Sequence, residues 1–133
     1  MRIKKIIGML YQSLFFIVPL ILFPSTSELF EFNKMIVVYL LTTLIAAAWV
    51  IRCVLEKKVF FRKTPLDIPI LIFLGSQIVS TLISIDPRTS LLGYYSRFNG
   101  GLISLVCYFT LYWGFVSNFE KKDVPVMFRS ILI

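Results

Sequence analysis

A chain of 133 residues with 58% hydrophobic and 16% charged residues and a mean hydropathy of +0.86 is too apolar for a water-soluble domain, where apolar content is roughly 45–50%. The net charge of +7 does not point to nucleic acid, because the cations cluster between long apolar blocks instead of forming a basic face. Two cysteines and no histidine leave no ligand set for zinc.

A bilayer core about 30 Å thick takes roughly 20 mostly apolar helical residues, with about 17 as the practical minimum. Four blocks reach that length, so the expected fold is all-α: a polytopic integral membrane helical bundle of four transmembrane helices plus a truncated fifth. The first block runs from Ile6 to Phe23, with Pro19 expected to kink it and Pro24 to help end it. Arg2, Lys4 and Lys5 precede it as in a signal peptide, but the apolar core is too long for one and three further blocks follow. The next segment, PSTSELFEFNK, sets Ser25 and Glu28 at capping-box spacing, which predicts a short interfacial helix.

The second block, Met35 to Val54, carries Arg52 close enough to its end to snorkel. The loop from Glu56 to Leu66 places Lys57, Lys58, Arg62 and Lys63 around Val59, Phe60 and Phe61. Its cations are read first as fixing topology; the alternative is that they hold anionic lipid headgroups. The third block, Ile68 to Ile85, repeats Ser76, Ser80 and Ser84 at every fourth residue beside Gly75, Gln77 and Thr81. Small residues let helix backbones approach closely, so this face is expected to point into the bundle, a substrate-lining role being the alternative. The fourth block runs from Leu102 to Phe119; after Glu120, Lys121, Lys122 and Asp123 a partial one, Val124 to Ile133, contains Arg129. Half a span at the end makes residues 1–133 the expected N-terminal transmembrane region of a larger polytopic protein, whose remaining helices would be its partners.

Basic residues orient the chain. Arg2, Lys4, Lys5, Arg52, Lys57, Lys58, Arg62, Lys63, Lys121, Lys122 and Arg129 fall on one side and Lys34, Arg88 and Arg97 on the other, which places the N-terminus in the cytoplasm and residues 24–34 and 86–101 outside. Cys53 then lies near the inner face and Cys107 in the outer half, too far apart for a disulfide, and both read as small packing residues.

The second outer segment, DPRTSLLGYYSRFNGG, is the most informative. Asp86 and Pro87 read as N-cap and first residue of a short interfacial helix reaching to about Tyr95, and Tyr94, Tyr95 and Phe98 suit the headgroup region. Arg88 and Arg97 stand out on a side poor in cations. A guanidinium is a planar fork of donors for phosphate oxygens, so two of them, beside backbone exposed by Gly93, Gly100 and Gly101, can hold a lipid-linked phosphate; contact with ordinary headgroups and helix capping are equally compatible with the spacing.

TSELFEFNKM at 26–35, TPLDIPIL at 64–71 and SIDPRTSLLGYYSRFNGGL at 84–102 resemble the N-terminal region of bacterial O-antigen ligase family proteins. The resemblance covers nearly the whole chain, and its last stretch is the most specific. It implies a multi-pass glycosyltransferase of the bacterial inner membrane that moves a glycan from an undecaprenyl-pyrophosphate carrier to an acceptor on the outer face, the architecture shared by ligases, O-antigen polymerases and protein O-oligosaccharyltransferases. It implies metal-independent transfer with no cofactor, arginines on the pyrophosphate, and a histidine in a later external loop activating the acceptor, with charge stabilisation at the leaving group as the main catalytic contribution. With no histidine in these residues, no catalytic residue is carried over and the segment alone is expected to be inactive. Arg97 is the first candidate donor-lipid contact and Arg88 the second, followed by Tyr94 and Tyr95.

Two other readings stay open. A small multi-span membrane scaffold predicts association through the Ser76, Ser80 and Ser84 face. A transporter fragment predicts ionisable residues at mid-membrane, and the central stretches hold no carboxylate, which makes this the weakest reading.

Overall fold

The computed structural model describes residues 2–21 and 31–125. Among them every regular element is helical: α1 (Arg2–Leu20), α2 (Glu31–Leu55), α3 (Asp67–Leu82), α4 (Pro87–Leu92) and α5 (Leu102–Asn118). The capping-box pair Ser25 and Glu28, Pro24, and the apolar run beyond Pro125 lie outside the described residues.

Helix α2 is the centre of the molecule, packed between α1 and α5, and α3 packs on α5 with α4 bridging the two. The contacts along the helices set their directions. Lys4 at the start of α1 reaches Asp123 beyond α5 at 2.8 Å, and Arg52 Nη1 near the end of α2 donates to Asn118 Oδ1 at the end of α5 at 2.8 Å. Trp113 Nε1 donates to Asp67 Oδ1 at the start of α3 at 3.0 Å, while Phe73 meets Phe109 further along, ring centroids 6.2 Å apart. Helices α1 and α3 therefore run one way and α2 and α5 the other. The loop holding Lys57 to Lys63 and the Glu120 to Asp123 turn share one end, and the loop holding Arg88 and Arg97 lies at the other.

At 25 residues and about 1.5 Å per residue, α2 is about 37 Å long, more than a bilayer core. Helices α1 and α2 are long and apolar enough to cross a membrane by length and composition. The apolar helices α3 and α5, at 16 and 17 residues, are about 24 and 26 Å long, so four membrane-crossing helices are not established by helix length. Helix α3 stops three residues short of the expected Ile85: Ile83 leaves helical geometry with ψ near 1°, and Pro87 forces Asp86 into an extended conformation with ψ 89°.

The core sits where α1, α2 and α5 meet, built on Ile7, Tyr11, Ile45 and Phe119. Tyr11 meets Phe115 and Phe119 edge-on, both centroids at 5.5 Å, the favoured geometry for aromatic quadrupoles, and its hydroxyl donates to the Leu111 carbonyl at 2.7 Å. On α2 the buried residues Met35, Val38, Leu41, Thr42 and Ile45 follow helical spacing. Leu40, Leu44, Val50, Ile51 and Val54 on the same helix are exposed, as are Met9, Phe16 and Leu20 on α1. Apolar residues thus cover both the packed and the outward faces.

Helix α3 overturns one expectation. It has no buried residues, and Gly75, Ser76 and Ser80 are exposed, while the partly buried line along it is Ile70, Leu74, Gln77 and Thr81. Gln77 and Thr81 turn inward as expected, but the serines at 76 and 80 do not, because among the long helices α3 packs chiefly on α5 and the apolar line at 70 and 74 takes that contact. Both cysteines are unpaired and half-buried.

Candidate functional site

The segment joining α3 to α5 is built by capping and by two close backbone approaches. The Asp86 carboxylate accepts from the Thr89 backbone N–H at 3.4 Å and from the Thr89 hydroxyl, satisfying an N-terminal donor of α4 as an N-cap does. Those two bonds, the hydroxyl's first, hold the Asp86 carboxyl below its ordinary range, and the neighbouring Arg88 adds to the effect. Pro87 occupies the first helical turn, where its missing N–H costs nothing.

Helix α4 ends at Leu92, not at Tyr95. Gly93 has φ 87°, a left-handed value that stops the helix, and Arg97 and Phe98 then fold back so that both N–H groups donate to the Tyr94 carbonyl, at 3.0 and 2.9 Å. The Tyr94 N–H closes the loop on the Asn99 carbonyl at 3.2 Å. A β-carbon at Gly93 would lie 2.2 Å from the Asn99 oxygen, and one at Gly101 would lie 2.3 Å from the Gly93 nitrogen. Gly93 and Gly101 are buried. They are present because two backbone strands touch there, which corrects the expectation that they expose backbone to a ligand; of the three loop glycines only Gly100 faces open space.

The loop is fastened to the bundle on two sides. Phe98 meets Phe32 edge-on at 5.5 Å, and its carbonyl accepts from the Tyr39 hydroxyl at 2.6 Å, both on α2. Asn99 Oδ1 accepts from the Tyr108 hydroxyl of α5 at 3.1 Å. The buried Ser104 returns its hydroxyl to the Gly101 carbonyl at 2.7 Å.

The four candidate residues divide between two clefts. Arg97 and Tyr94 line an open cleft of about 470 Å³ together with Glu31, Asn99 and Gly100. Arg97 Nε lies 3.5 Å from Glu31 Oε2, with both side chains about half exposed, and its guanidinium carbon is 6.0 Å from the centre of the Tyr94 ring. Arg88 and Tyr95 line a cavity of about 30 Å³ with Thr89, Leu92, Gly93 and Phe98, the Arg88 guanidinium 5.4 Å from the Tyr95 ring centre. Tyr94 and Tyr95 are 65% and 76% exposed, which puts both rings at the free surface of the loop.

In the larger cleft a guanidinium and a phenol offer donors to an anionic ligand, the Gly100 N–H being taken by Asn99 Oδ1 at 2.8 Å, and Glu31 sets the opposing charge. Glu31 and Asn99 are the residues that sequence reasoning passed over. The signal for Glu31 was present, since it is one of few acidic residues in the segments that share that end with Arg88 and Arg97. Among the described residues no three carboxylate, thiol or imidazole side chains come together in a way that could hold a metal ion.

No protein family, characterised protein or solved structure matches this chain.

Proposed function

We propose that residues 1–133 are the N-terminal membrane part of an O-antigen ligase-like glycosyltransferase, in which the GYYSRFNGG loop receives the pyrophosphate of an undecaprenyl-linked glycan at the outer face of a bacterial inner membrane. The observation that carries the reading is the cleft of about 470 Å³ lined by Arg97, Tyr94 and Gly100, because those residues belong to the stretch that carries the family resemblance. Four spans with a cytoplasmic N-terminus are part of the proposal. It is supported by the apolar residues that face outward on α1, α2 and α3 and by the grouping of the lysine-rich segments at one end, where Lys4 meets Asp123. Exposed Ile83 and Ile85 extend the apolar length beyond α3, and local thinning of the bilayer accommodates a short span at modest cost.

In this reading the arginine and tyrosine loop binds the donor, and the acceptor-activating group comes from outside residues 1–133. The test is binding of undecaprenyl pyrophosphate to the purified chain in detergent. Weaker binding by Arg97→Ala at unchanged helicity is expected; equal binding by the two proteins rejects the donor role.

The scaffold reading is favoured by one observation, the exposure of Gly75, Ser76 and Ser80 on α3. Small residues on an open helix face suit close helix packing. It predicts crosslinking between copies through Ser76→Cys and no saturable binding of the pyrophosphate lipid.

A further inference from the structure

The loop between α2 and α3, at the end of the molecule remote from Arg97, has a charge arrangement that the proposed chemistry does not use. Its backbone is held firmly. Trp49 Nε1 donates to the Phe60 carbonyl at 2.9 Å, the Arg62 N–H donates to the Ser117 hydroxyl at 3.2 Å, and the Thr64 hydroxyl meets that of Tyr112 at 2.9 Å. Phe60 is the inward anchor, lying under the Arg52 guanidinium at 3.9 Å. On either side of it Val59 turns outward, 80% exposed, and Phe61 is 49% exposed, one side of its ring meeting Trp113 at a centroid distance of 6.3 Å.

The carboxylates at this end are all engaged. Glu56 pairs with Arg52 at 3.1 Å, Glu120 with Lys122 at 2.8 Å and Asp123 with Lys4 at 2.8 Å. Asp67 accepts from Thr64 and from Trp113. Lys57, Lys58, Arg62 and Lys63 are exposed, and none forms an ion pair among the described residues; Lys63 acts on Asp67 only as a nearby charge. The fold thus uses its acids internally and leaves four cations and two apolar side chains on one rigid surface. A flexible loop would lose entropy on binding, and this one is already ordered by its three tethers.

We infer that this loop is a docking surface for the headgroups of anionic phospholipids, with Val59 and Phe61 entering the interface and the four cations meeting phosphate. Charge complementarity and the position of the loop at the mouth of α2, the longest apolar helix, select a lipid surface as the occupant. The inference rests on the membrane part of the reading above and not on its chemistry.

The test is lipid selectivity in bilayer discs containing the full chain, read as the immobilised fraction of spin-labelled phosphatidylglycerol against spin-labelled phosphatidylcholine. A preference for phosphatidylglycerol that weakens at high salt is expected. It should fall by at least about fivefold, the effect of one cation near an anionic surface, when Lys57→Gln, Lys58→Gln, Arg62→Gln and Lys63→Gln are combined. A protein with Lys57→Arg, Lys58→Arg, Arg62→Lys and Lys63→Arg should keep it. An unchanged preference in the neutralised protein, or none in the parent, overturns the inference and leaves the membrane reading standing. Release of the parent protein from vesicles by alkaline washing overturns both.

Discussion

The Tyr11 hydroxyl occupies the space that a side chain on Gly114 would need: a β-carbon there would lie 2.7 Å from the phenol oxygen. The absence of a side chain on α5 lets the phenol pass and reach the Leu111 carbonyl, in the middle of the buried cluster that joins α1, α2 and α5. Gly114→Ala should therefore destabilise the bundle by about 1–3 kcal/mol, the usual effect of overpacking. Tyr11→Phe removes the clashing atom at a cost of about 1 kcal/mol for the lost hydrogen bond. The double variant should be more stable than the sum of the two single effects predicts, a coupling that unfolding in mixed detergent would measure. Additive effects would show that the two residues do not compete for that space.

A second strained position lies at the end of α2. Lys57 has φ 48°; its N–H donates to the Val54 carbonyl and that of Lys58 to the Cys53 carbonyl, at 3.3 and 3.2 Å. This is the paired pattern of a Schellman cap, whose left-handed residue is usually glycine. Lys57→Gly should relieve the conformation and stabilise the chain by up to about 1 kcal/mol, offset in part by the greater freedom that glycine has in the unfolded chain. The same unfolding measurement checks it, and a loss of stability would show that the lysine side chain contributes more than its backbone costs.

The loop that holds Arg97 depends on two glycines for a different reason. A β-carbon at Gly101 would lie 2.3 Å from the Gly93 nitrogen and 2.5 Å from the Leu91 oxygen; both are backbone atoms, and backbone cannot rotate aside as a side chain can. Gly101→Ala should open the loop and cost roughly 3 kcal/mol or more, whereas Gly100→Ala meets no atom within 4 Å and carries only the strain of its φ of 83°. Proteolysis at Tyr94 and Tyr95 is the readout: strongly accelerated in the first variant and little changed in the second.

Asp86 gives a pH dependence whose sign is set by its hydrogen bonds. The folded carboxyl is held below its ordinary range by Thr89, so its contribution to α4 is fully present above the unfolded pKa of about 3.9 and is lost as pH falls through the depressed folded value. Amide exchange at Ser90, whose N–H donates to the Asp86 carbonyl at 3.1 Å, should accelerate below that range relative to the same amide in Asp86→Asn. Asparagine retains a capping oxygen without an ionisable proton. Identical pH profiles in the two proteins would remove the carboxylate from the account.

What the sequence made legible follows the range of each interaction. Asp86 as an N-cap and Pro87 as a first helical residue depend on contacts three residues away, and both are present. The end of α4 was misplaced because Gly93 reads as one of several loop glycines until its left-handed φ and its contact with Asn99 are known. The Ser76 and Ser80 face was misassigned for a longer-range reason. Its repeat is real, but which face is covered depends on where α5 lies, and periodicity does not encode the identity of a neighbour. The tyrosine and arginine residues were singled out together, yet they separate into one cleft around Arg97 and Tyr94 and another around Arg88 and Tyr95, because the Tyr94 to Phe98 turn intervenes. Glu31 was legible as an acidic residue at that end, but its pairing was not, because it sits on α2, far in sequence from the loop arginine it meets.

Glu31 provides the sharpest test of the cleft. At 3.5 Å from Arg97 Nε and about half exposed, it is a surface counter-ion of small worth to stability, typically about 0–1 kcal/mol, so its removal should leave the fold intact. Its effect on a ligand is larger than its effect on the fold, because an anion that approaches Arg97 must displace or share the carboxylate and feels its repulsion. Glu31→Gln should therefore tighten binding of undecaprenyl pyrophosphate by roughly two- to fivefold, the equivalent of that counter-ion interaction, with the gain largest at low salt where the repulsion is least screened. Arg97→Ala should abolish the gain, since in its absence Glu31 no longer competes for the guanidinium. If Glu31→Gln instead weakens binding, the carboxylate positions the arginine and the cleft takes its anion by an ordered ion pair, which a Glu31→Asp variant would recover in part.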